Sequence, residues 1–210
     1  MNCYVQYLID GEITSIILDC LLILMQKPKV DISFFTDDFV LQFLSFLMNP
    51  HSPFEIELRI PNKAFELCNK MFHRRQKNLK EVLIDNDFIP LITENLELKT
   101  PAVIEAAQLL GHIGFMNPDI MKHLPDDFFV SIIPALLSDE NSEIVCETIK
   151  LGIELAENNL RLSEMFVDIC LGNFLELSEK SFQIKEVAIH FISLLINPLG
   201  CEYVKSELYS

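Results

Sequence analysis

The chain contains no tryptophan and only six glycines in 210 residues. With so few glycines, and with no alternating apolar and polar runs joined across a turn dipeptide, hairpin-built β folds are excluded. Basic residues are also scarce, 16 against 31 acidic ones, for a net charge of −15. An electrostatic grip on a phosphate backbone would work against that charge, so no nucleic-acid partner is expected. Long apolar runs are missing too. The longest, Ile16 to Met25, is ten residues and is interrupted by Asp19, against the roughly 20 that span a bilayer. The N-terminal MNCYVQYLIDGEI lacks a basic n-region and carries Asp10 and Glu12 where a signal peptide would be apolar. The expectation is no membrane segment and no leader.

Motifs of catalysis are absent as well: there is no G-x-S-x-G, H-E-x-x-H or G-x-x-x-x-G-K-[ST]. Cys3, Cys20, Cys68, Cys146, Cys170 and Cys201 form no Cys-x-x-Cys pair and have no His at zinc-finger spacing. They read as reduced thiols buried as small hydrophobes in an intracellular protein, with no metal and no cofactor. Gly111 and Gly114 read as a helix-packing pair. His190, in an apolar stretch, is expected in the core. His112 is expected in a groove or in the core. No enzyme is implied, and the expected location is cytoplasmic, with the nucleus also open to the chain.

What is present is apolar: half the residues are hydrophobic and 16 are phenylalanine. That composition folds, and at this length it buries a core without disulfide or metal staples. Its organisation is periodic. Asn78, Asn117, Asn158 and Asn197 recur at steps of 39, 41 and 39 residues. Each precedes a short helical run, and four residues on stands Val82, Met121, Leu162 or Cys201, as an Asn-capped helix facing a core requires. A second helix then opens on an acidic residue and an aromatic, at Asp37-Asp38-Phe39, Asn86-Asp87-Phe88 and Asp126-Asp127-Phe128, and more weakly near Asp168. Third helices are predicted over Pro61–Phe72, Pro101–Phe115, Ser142–Glu157 and Ser181–Ile196.

The domain reading is therefore one repeat domain over 1–210. It consists of an incomplete repeat at 1–27, a repeat at 28–77 with a Pro-rich insertion at 49–61, repeats at 78–116, 117–157 and 158–196, and a partial repeat at 197–210. No single helix of such a chain buries its apolar stripe alone, so the helices must share a continuous core. The fold class is all-α.

Glu105 to Gly114, EAAQLLGHIG, resembles the armadillo third-helix consensus EAAWALSNIA, and Asn117-Pro118 follows where that repeat usually reads Asn-Pro. Asn78 to Ile92, NLKEVLIDNDFIPLI, is similar to the passage from first to second armadillo helix. HEAT repeats, which pair two helices per unit, are the neighbouring alternative. The resemblance implies a right-handed superhelical α-solenoid of about four repeats with incomplete ends. In peptide-binding members a Trp, and an Asn four residues later, line a concave groove in each repeat. Carried over, those positions are Phe65 and Asn69, Gln108 and His112, Ile149 and Ile153, and about Ile189 and Ser193. Only the first pair keeps the chemistry, because an isoleucine cannot hydrogen-bond a peptide backbone.

Five of the 16 basic residues, Lys70, Arg74, Arg75, Lys77 and Lys80, cluster with His73 at the end of the first full third helix. Such a cluster is either a solvated helix end favoured by the dipole or a dock for an acidic or phosphorylated segment. The sequence thus points to a non-enzymatic protein-binding scaffold or adaptor. It would take a peptide segment or helix of a protein partner at Phe65, Asn69, Arg74, Arg75, Gln108 and His112, and could be a subunit of a larger complex. The alternatives are a nuclear-import-type receptor for basic peptides and a helical regulatory domain of an enzyme.

Overall fold

A computed structural model describes residues 10–27, 38–51, 53–54, 56, 59–73, 83, 88–117, 119–156, 165–166, 169 and 181–199. Their regular structure is entirely helical, as the all-α reading expects: eight α-helices, one 3₁₀ turn and one π-helical turn, with no strand among the described residues. None of these helices is long and apolar enough to cross a membrane. The chain divides into two units, Met1–Leu109 and Leu110–Ser210.

The first unit is built around a central helix. Helix α1 (Gly11–Met25) starts on Asp10, whose Oδ1 accepts the backbone N–H groups of Glu12 and Ile13 at 3.0 and 3.2 Å. The Asp-Gly dipeptide at 10–11 is thus a helix cap. Both α1 and α2 (Asp38–Leu47) pack on α3 (Ile60–His73). α1 turns Leu18, Leu22 and Met25 inward, and α2 turns in Leu41, Leu44 and Leu47. Flanked on two sides, α3 leaves none of its described side chains exposed. Pro61 stands at its second residue, where a missing N–H breaks no helical bond. Lys63 Nζ ties α3 to α1, donating to Ser15 Oγ and Asp19 Oδ2, each at 2.7 Å.

Helix α4 (Phe88–Glu97) buries Phe88, Ile89, Ile92 and Leu96. It ends on a left-handed residue, Lys99 at φ 47°, with Thr100 N–H donating back to Asn95 O at 3.2 Å. That closure is usually made by glycine. The Asn95 side chain seals the same end: its Nδ2 donates to Met48 O at 3.0 Å and Leu91 O at 2.9 Å, while Oδ1 accepts from Thr100 Oγ1 at 2.8 Å. Helix α5 (Val103–Met116) follows.

The second unit comprises the rest of α5, a 3₁₀ turn (Ile120–Lys122), a π-helical turn (Phe128–Ile132) leading into α6 (Ile133–Leu137), then α7 (Ser142–Ala156) and α8 (Phe182–Leu199). The π turn stands where a regular second helix is predicted. Pro134 explains the widening, since it has no N–H to donate to Val130 O in an α-helical ladder. α6 packs on α7, and α7 on α8. Four phenylalanines run through this unit edge to face. Phe128–Phe129, Phe129–Phe166 and Phe166–Phe191 have centroids 5.0, 5.5 and 6.2 Å apart. α7 lies close to its neighbours through glycine. A Cβ on Gly114 would sit 2.1 Å from Leu155 Cδ2, and one on Gly152 2.7 Å from the Phe166 ring.

All four predicted third helices are present at nearly the predicted limits. Of the periodic asparagines, Asn117 precedes a short turn, its Oδ1 accepting Asp119 N–H at 3.1 Å, but the residue at the N-cap of that turn is Asp119. Asn197 does not, because α8 continues through it to Leu199. Pro198 falls in the last turn of α8, where it has no N–H to donate to Leu194 O. Asn78 and Asn158 lie outside the described residues. His190 is exposed, not in the core: α8 faces inward with Ile184, Ala188 and Phe191, and that spacing turns residue 190 outward.

Candidate functional site

The six predicted site residues fall into three groups. Phe65 is fully buried on α3, and Asn69 is 5 % exposed one turn further on. Neither is open to solvent. Asn69 Nδ2 donates to Glu105 O at 3.0 Å, joining α3 to the first part of α5. Asn62, two turns before it, reaches the same stretch: its Nδ2 donates to Pro101 O at 2.7 Å and to Glu105 Oε2 at 3.1 Å. Arg59 Nη2 lies 3.9 Å from Glu105 Oε1, a loose and largely solvated pair that contributes little. Asn62 and Asn69 therefore bracket Glu105, and their amides serve helix packing in this conformation. Asn62 Oδ1 is the one buried side-chain N or O among the described residues without a hydrogen-bond partner.

Gln108 and His112 lie one turn apart on α5, both half-buried, and neither is free of polar or ring partners. Arg74 and Arg75 lie outside the described residues, as do Lys77 and Lys80. Lys70, the first member of that basic cluster, pairs with Glu66 one turn back. In the other carried-over positions Ile149 is buried, Ile153 half-buried, and Ile189 and Ser193 exposed. Ser193 Oγ donates to His190 O at 2.7 Å.

Among the described residues no set of three His, Cys, Asp or Glu side chains converges as metal ligands would. Cys68 and Cys146 are buried free thiols, and Cys20 is an exposed one. Burial pushes the Cys68 thiol up to about 12 and also raises Cys146, an effect that Lys150 partly offsets. Neither buried thiol is a nucleophile at neutral pH.

One helix among the described residues gathers several exposed apolar side chains that were not singled out from the sequence. Ile13, Ile16, Ile17, Ile23 and Leu24, all on α1, are each between 39 and 61 % exposed. They occupy the face opposite Leu18, Leu22 and Met25, with exposed Cys20 among them. The signal was legible, since α1 is apolar on two opposite faces and its only charges, Glu12 and Asp19, lie on one seam between them. A helix that is hydrophobic all round is normally covered all round.

The sequence matches no protein-family model and no curated protein.

Proposed function

We propose that the chain is a non-enzymatic protein-binding scaffold or adaptor, an armadillo-like right-handed α-solenoid that holds a segment of a partner protein inside the cell. The single observation that supports it best is the outer face of α1, where five large aliphatic side chains stand in water. Exposed apolar area gathered on one helix face marks a contact surface. The 40-residue periodicity and the resemblance to armadillo third helices supply the architecture. The groove pair Phe65 and Asn69 contributes to this function by fixing α3 against its neighbours, and α1 offers the surface.

The test begins with in-cell crosslinking and mass spectrometry on the tagged chain, followed by reconstitution with the purified partner. A stoichiometric complex of defined size supports the scaffold reading. Hydrolytic or transfer activity of the isolated chain, or the absence of any reconstitutable protein complex, overturns it.

A further inference from the structure

The geometry points to the outer face of α1 as the docking site for a basic amphipathic helix of the partner, packed along α1 as a second helix. This inference rests on the scaffold reading and says which surface and which ligand chemistry are used. Spacing identifies the occupant as a helix. Ile13, Ile16, Ile17, Cys20, Ile23 and Leu24 fall at i, i+3, i+4, i+7, i+10 and i+11, two consecutive heptads of the pattern with which one helix covers another. An extended peptide needs a row of backbone partners, and every N–H and C=O in the middle of α1 is already used within the helix.

Charge identifies its flanks. Asp10, Glu12 and Asp19 are the only charged groups on α1 and its cap, and α1 carries no Lys, Arg or His. Lys63 takes one of them, Asp19, at 2.7 Å, while Asp10 and Glu12 stand exposed at the helix start. A second copy of the chain would bring the same acids, and a net charge of −15, against this rim. A helix with Lys or Arg beside its apolar stripe meets the apolar seam and neutralises the rim, and approaches the acidic chain under attraction.

The probe is a synthetic 18-residue helical peptide with Leu on an a/d/e stripe and Lys flanking it, and its counterpart with Glu in place of Lys. Binding to the full chain is read by fluorescence anisotropy at low and at physiological salt. The expected result is that the Lys peptide binds at least tenfold more tightly than the Glu peptide. Ile16→Ser with Ile23→Ser should weaken it a further tenfold or more, and binding should shield Cys20 from thiol reagents. General attraction to an acidic protein is shared by wild type and variant, so the loss on removing the isoleucines is the decisive reading. Both side chains are more than half exposed, so the variant is expected to keep the wild-type circular dichroism. Ile13→Ser, on the same face, is the second variant.

Equal binding of the two peptides, or full affinity in both variants, overturns the inference. So does sedimentation showing a dimer that Ile16→Ser with Ile23→Ser dissociates, which would make a second copy the occupant. Anionic vesicles that bind the chain through the same isoleucines would likewise overturn it. If a reconstituted partner binds the double variant as tightly as wild type, this inference fails while the scaffold reading stands. If no partner complex forms at all, the scaffold reading fails first.

Discussion

Asn69 donates its side-chain amide to the backbone carbonyl of Glu105, 36 residues along the chain, at 3.0 Å. The residue best suited by sequence to clamp a bound peptide is thus holding one of the protein's own helices. Removing it deletes a part-buried bond between two helices, to a carbonyl that keeps its own helical partner. Asn69→Ala is expected to lower stability by about 0.5–1.5 kcal/mol in urea unfolding, while binding at α1 is unchanged. A variant as stable as wild type would show that the bond contributes nothing.

Lys99 adopts φ 47° at the end of α4, a conformation that costs an L residue with a Cβ. Lys99→Gly should relieve it and raise stability by about 1 kcal/mol, provided the closure onto Asn95 persists. Thermal unfolding compared with Lys99→Ala, which keeps the strain, isolates the backbone effect.

Two glycines of the second unit should respond differently to the same change. A Cβ at Gly152 meets the rigid Phe166 ring at 2.7 Å, whereas one at Gly111 meets the carboxylate end of Glu154, a flexible group. Gly152→Ala is expected to cost about 1–3 kcal/mol by overpacking. Gly111→Ala should cost less, since the Glu154 carboxylate can swing aside where the ring cannot, while both sites gain the same helix propensity of about 1 kcal/mol from Ala. Melting temperatures of the two variants give the order directly.

Buried Cys68 makes stability fall in alkali. Below pH 9.0 the thiol is protonated in folded and unfolded chains alike, and its full contribution is present. Between 9.0 and about 12 the unfolded chain loses that proton while the fold retains it. Stability should therefore drop as pH rises through that window, by about 1.4 kcal/mol per unit from this group. Urea midpoints measured across the start of the window should fall less steeply for Cys68→Ala, and identical slopes would remove Cys68 as the cause.

Helix positions were legible because three local signals agreed: acidic or Asn starts, prolines at first turns, and apolar residues at helical spacing. They located α3, α5 and α7 within two residues and α8 within three. Partnering was not legible. Nothing local to Asn62 or Asn69 says whether their amides face solvent or the carbonyls of residues some 40 positions away. His190 misled because its neighbours in sequence are apolar, although only one arc of α8 turns inward. The α1 surface could have been seen from an apolar helix whose acids share one seam, but whether each face is covered is set by tertiary packing alone.

Phe166 has a further consequence for the second unit. Its ring packs edge to face between Phe129, in the π turn, and Phe191, on α8, which belong to segments more than 60 residues apart. Both segments pack on its ring, so they should open to solvent together and not in sequence. Backbone amides of the π turn and of α8 should then exchange with deuterium at a common rate in wild type. In Phe166→Ala the two rates should separate, and truncations at Phe129 and Phe191, energetically coupled while the central ring is present, should become additive.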